Sequence, residues 1–83
     1  MTSSGTVPLK TIWAMLDECA PGWNKTERTH NWVIQYNRLT FHRLPKGEHG
    51  ARKNPDIQVG HVKQMARLLQ ILPCAQQKIP ALR

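Results

Sequence analysis

The chain spreads 12 Lys/Arg and 5 Asp/Glu over 83 residues, for a formal charge of +7. The whole excess lies in its second part: residues 1–37 balance three basic against three acidic side chains, and residues 38–83 carry nine against two. This length excludes a second domain, the 40% apolar share excludes a disordered chain, and the lack of an apolar run approaching about 20 residues excludes a membrane-spanning helix. Lys/Arg crowded on one part of a small protein displaces counterions from a phosphate backbone, so nucleic acid is the first partner to expect, against the plainer alternative of a solvated, solubilising face.

Residues 1–6 are small and polar and predict a loose arm. From Pro8, suited to a first helical turn, Leu9, Ile12, Trp13, Leu16 and Ala20 recur at helical spacing until Pro21-Gly22, which predicts a first helix over about 8–20. Residues 29–36 then alternate, with His30, Trp32, Ile34 and Tyr36 on one face and Asn31, Val33 and Gln35 on the other, as a half-buried strand does. Asn37-Arg38 supplies a turn, because Asn tolerates positive φ, and residues 39–44 return as the second strand of a hairpin that Pro45 stops.

Between Pro45 and Pro55 turn formers mix with cationic and titratable side chains, so an exposed basic loop is expected there, with room for a short third strand. After Asn54-Pro55-Asp56, the positions Val59, Val62, Met65, Ala66, Leu69 and Leu72 form a second apolar stripe, with Lys63, Gln64, Arg67 and Gln70 outside, giving a helix over about 58–71. Gly60 belongs in its first turn, where a glycine weakens a helix least. Pro73 ends the helix, and residues 74–83 form a tail that lies across the domain or leaves it. The elements predict one domain over residues 7–73: an α+β fold, α-β-β-(β)-α, with an antiparallel sheet covered by two helices.

Cys19 and Cys74 belong to no Cys-x-x-Cys spacing, and the first residues show neither a basic n-region nor an apolar h-region. Structural zinc and secretion are therefore not expected. The chain reads as soluble and cytoplasmic with both thiols reduced, although a disulfide between them stays open. The histidines His30, His42, His49 and His61 sit on separate elements at spacings that give no ligand signature, so no metal and no cofactor are expected.

His30, beside Thr29 and Arg28 where a strand begins, is placed to present its imidazole to a ligand, against the alternative of a structural role. His42, alternating with Thr40 and Leu44, reads as cross-strand packing. His61 reads as a helix-surface residue, and His49 as a loop residue that touches phosphate or nothing. Trp13 and Trp32 read as core, and Trp23 either packs over the hairpin or stacks on a base.

The segment Ile57-Gln-Val-Gly60-His-Val62-Lys-Gln-Met65-Ala66-Arg-Leu-Leu-Gln-Ile71 resembles the closing segment of HicA-type toxins in its apolar spacing, its Gly at the helix start and its final Ile. Upstream, a helix ending before Gly22-Trp23 and the run Arg28-Thr29-His30-Asn31-Trp32 resemble that family's opening helix and its Gly-Ser-His-His motif, so the resemblance spans residues 9–72. It implies a fold similar to double-stranded-RNA-binding domains, metal-independent cleavage of mRNA with His30 as the catalytic residue, and a HicB-like antitoxin as protein partner.

Metal-free cleavage of RNA needs a base for the 2′-hydroxyl proton, cations for the developing charge and an acid for the leaving oxygen. His30 fits one proton-transfer role, and Arg28, Arg43, Lys46, Arg52 and Lys53 are the cations expected along the RNA backbone; no second acid stands out. The alternatives are a non-catalytic nucleic-acid-binding module and an inhibitory protein-interaction module that docks an acidic partner with the same fold.

Overall fold

The computed structural model describes residues 5–46 and 55–83. In chain order the elements are β1 (Thr6–Pro8), α1 (Leu9–Cys19), β2 (Asn24–Glu27), β3 (Asn31–Tyr36), β4 (Leu39–Pro45), β5 (Asp56–Gln58), α2 (Val59–Leu68), α3 (Leu72–Lys78) and a 3₁₀ turn, Pro80–Leu82. An antiparallel three-stranded sheet, β2-β3-β4, is flanked in sequence by α1 and α2, so the expected small α+β domain is the one observed. The strands β1 and β5 pair separately as a two-stranded antiparallel ladder.

The first stripe folds as read: α1 buries Leu9, Ile12 and Leu16 together with Met15 and Cys19. Its exit turns on Gly22, whose φ of +88° suits a residue without a Cβ. In α2 the buried residues are Val62, Met65 and Ala66, and Gly60 occupies the first turn as expected. The helix closes earlier than the stripe suggests because Gln70 adopts a φ of +62°. Its N–H bonds the Arg67 carbonyl, and the Ile71 N–H reaches back to that of Ala66. This pair of bonds is a Schellman closure, with Gln70 where glycine is usual. The chain then restarts as α3 with Pro73 in its first turn, where a missing N–H is harmless.

Residues 72–82 therefore lie across the domain, with Ala75, Ile79 and Leu82 buried in the same core as Ile12, Ile34 and Leu44. That return brings Cys74 to the last residue of α1, and Cys19 and Cys74 form a disulfide with their Cα atoms 5.7 Å apart. The expectation of two reduced thiols is corrected on this point. An ion pair between Lys78 and Glu18, 2.7 Å long, ties the same two helices at the surface.

Three further differences have local causes. The arm expected over residues 1–6 is engaged at its end, where Thr6 opens β1 opposite Gln58. A third strand exists, yet it precedes the hairpin as β2. Its four residues, Asn-Lys-Thr-Glu, are all exposed and carry no apolar alternation, because an edge strand can pair through its backbone alone. The loop proposed to hold a third strand lies, from residue 47 to 54, outside the described residues. The tryptophans are half-buried rather than central: Trp13 stacks on Trp23 at 5.2 Å and meets Trp32 edge-on at 5.3 Å, a layer packed on the core's rim. No helix among the described residues is long and apolar enough to cross a membrane.

Candidate nucleic-acid interface

The two faces of the sheet differ because every strand alternates. Directly paired residues share a face, so Ile34 with Phe41 and Trp32 with Leu44 point toward the core, while Val33, Gln35 and Thr40 point away from it. Where β2 meets β3 the chain reverses in a tight turn, closed by the Arg28 N–H donating to the Asn31 carbonyl at 2.8 Å. Thr29 and His30 form its tip, and both are exposed. His30 thus sits one step before the strand that was expected to contain it, and does not share the inward face of Trp32, Ile34 and Tyr36. Its carbonyl is held by the Lys46 N–H at 3.3 Å, which fixes the backbone of the turn against the end of β4.

A bulge in β4 builds the rest of the site. Trp32 pairs with Leu44, but Ile34 pairs with Phe41, so the single residue Val33 faces two residues, His42 and Arg43. Strict alternation would send Arg43 inward and Leu44 outward. The extra residue instead leaves Leu44 fully buried and both His42 and Arg43 exposed. Burying Leu44 is worth about 1.5–3 kcal/mol, enough to hold the bulge in place. His42 therefore does not pack across the strands beside Leu44, as its alternation suggested; the two residues lie on opposite faces.

Turn and bulge together line an open groove of about 430 Å³, formed by Arg28, Thr29, His30, Asn31, Val33, His42 and Arg43. Two guanidiniums and two imidazoles line it together with a hydroxyl and an amide, and no carboxylate is among the lining residues. Such a set provides planar, bidentate donors for phosphate and imidazoles, which can both donate and accept a proton.

Of the residues singled out from sequence, His30, Arg28 and Arg43 meet in this groove. Lys46 does not. Its ammonium pairs with Glu27 at 2.6 Å and lies 5.4 Å from the centre of the Trp32 ring, with the side chain only 15% exposed, so its charge is committed to the core-facing side of the sheet. Arg52, Lys53 and His49 lie outside the described residues. His61 is half-buried on α2 rather than fully on the surface. Trp23 packs against Trp13 and donates its Nε1–H to Asp17 at 2.8 Å, and Lys25 lies 5.2 Å over both rings, so its faces are turned to protein contacts instead of a base.

Sequence reasoning missed His42, because a bulge leaves no mark in alternation except a buried residue that appears out of phase. Leu44 was that mark. Among the described residues, no group of three or more His, Cys, Asp and Glu side chains converges as a metal site would. Comparison with family models, curated proteins and solved structures gives no match for the chain.

Proposed function

We propose that the chain binds RNA on the outer face of its sheet and cleaves it without a metal ion, as the resemblance to HicA-type mRNA interferases implies. The observation that carries this reading is the exposed His30 lining one groove together with Arg28 and Arg43. The guanidiniums hold the phosphate and take up the charge that grows on it, while the imidazole, at the tip of a backbone-anchored turn, transfers a proton. The element order α1-β2-β3-β4-α2 supports the same reading, since it is the order that resemblance implies for a fold similar to double-stranded-RNA-binding domains.

In this reading the protein is the toxin of a toxin–antitoxin pair in the cytoplasm, and a HicB-like antitoxin covers the groove. The reducing cytoplasm would open Cys19–Cys74, and the fold then stands on its apolar core. The test is incubation of purified protein with single-stranded RNA in the presence of a chelator. Wild-type protein cuts the RNA, and His30→Ala slows cutting by roughly 10²–10⁴-fold while leaving the circular dichroism spectrum and RNA affinity in place. Undiminished cutting by His30→Ala overturns the assignment. Unchanged binding with no cutting by either protein favours the non-catalytic nucleic-acid-binding module.

A further inference from the structure

We infer that His42 is the second proton-transfer residue of this groove, and that the reaction is therefore an internal transesterification specific to RNA, leaving a 2′,3′-cyclic phosphate and a 5′-hydroxyl. The inference rests on the reading above and supplies what one histidine cannot. Breaking an RNA strand by its own 2′-oxygen moves two protons at two places. One leaves the 2′-hydroxyl as that oxygen forms its bond to phosphorus; the other must reach the 5′-oxygen as its bond to phosphorus breaks. No water and no oxidant enter, and the proton taken by one imidazole is matched by the proton given by the other. The two groups must therefore stand on either side of one phosphate.

Three observations place His42 for this role. It lines the same groove as His30 but comes from β4, whereas His30 comes from the turn between β2 and β3, so the two imidazoles are carried by separate segments. His42 follows the inward Phe41 and so faces outward, and the bulge opposite Val33 turns Arg43 to the same face, so an imidazole and an anion-binding guanidinium stand next to each other on the outer side of β4. Both histidines are exposed, whereas His61, the third histidine among the described residues, lies on α2 away from the groove lining. The 2′-hydroxyl requirement follows from the chemistry: DNA offers no internal nucleophile, so it binds the same face without being cut.

The experiment first maps a cleavage site in a single-stranded RNA oligonucleotide by identifying the product ends. The same oligonucleotide is then made with sulfur in place of the bridging 5′-oxygen at that bond. A thiol has a pKa of about 8.5, so the sulfur departs as thiolate and needs no acid. On normal RNA, His30→Ala and His42→Ala each lose roughly 10²-fold or more, with RNA affinity retained. On the sulfur substrate one of the two variants recovers to within about tenfold of wild type, the one lacking the acid, and the other does not.

His42→Gln, which keeps the size of the side chain, repeats the measurement if the alanine variant is poorly folded. Full activity of both His42 variants alongside an inactive His30→Ala overturns this inference and leaves the broader reading standing. Rescue of both variants, rescue of neither, or products ending in a 3′-hydroxyl also overturn it. An active His30→Ala, or wild-type protein that leaves RNA intact, removes the broader reading as well.

Discussion

Replacing both guanidiniums of the groove, Arg28→Ala together with Arg43→Ala, separates a phosphate-binding surface from a merely soluble one. Each is exposed and lines the groove, and neither forms, among the described residues, an ion pair of the kind that commits Lys46 and Lys78. If each neutralises one phosphate of a single strand, the slope of log affinity against log salt falls by about 0.7 per residue, or about 1.4 for the pair. At about 0.15 M salt that amounts to a loss of roughly tenfold in affinity, and at about 0.05 M to roughly seventyfold, fading to nothing near 1 M. Fluorescence anisotropy of a labelled single-stranded RNA, titrated at four or five salt concentrations, reads both quantities. Lys78→Ala is the control, since that residue pairs with Glu18 on the helical side, and its slope should match wild type. A double variant whose slope is unchanged refutes the placement of RNA in the groove, whatever happens to the affinity at one salt concentration.

Reduction of Cys19–Cys74, or Cys19→Ala with Cys74→Ala, opens a cross-link between residues 55 apart, for which chain entropy gives about 4 kcal/mol. A thermal melt should then shift down by roughly 15–30 °C for a domain of this size, and a shift of only a degree or two would mean that α3 docks as firmly without the bond. Arg38 and Gln70 both hold left-handed backbone, with φ of +71° and +62°. Arg38→Gly and Gln70→Gly should each raise stability by about 1 kcal/mol in urea denaturation, and a loss in either would show that the replaced side chain makes a contact outweighing the backbone gain.

The helices and the β3–β4 hairpin were legible because their signals are periodic and their breaks are chemical: Pro21-Gly22 after α1, Asn37-Arg38 in the turn, Pro45 after β4. What lay hidden has no periodicity to read. The strand β2 is four polar residues whose only reason to be extended is the backbone of β3 beside them. The ladder of β1 and β5 joins segments fifty residues apart, and a helix that restarts after a left-handed Gln70 looks like a tail with a proline in it. At the site, His30 and its guanidiniums were visible as residue types near a turn. That Arg43 joins His42 on the outer face, with Leu44 turned inward, depended on one extra residue in β4, which reverses faces from that point on.

That distant ladder also decides how the helices begin. Neither α1 nor α2 has a side-chain cap; instead the Leu9 N–H bonds the Pro55 carbonyl at 2.9 Å and the Val59 N–H bonds the Gly5 carbonyl at 3.1 Å. Each helix thus borrows an acceptor from the stretch leading into the other, and Val7 and Ile57 seal the exchange as paired, buried neighbours. Trimming the first eight residues would therefore loosen a helix that begins at position 59, and the two halves of the chain are not separable as independent fragments.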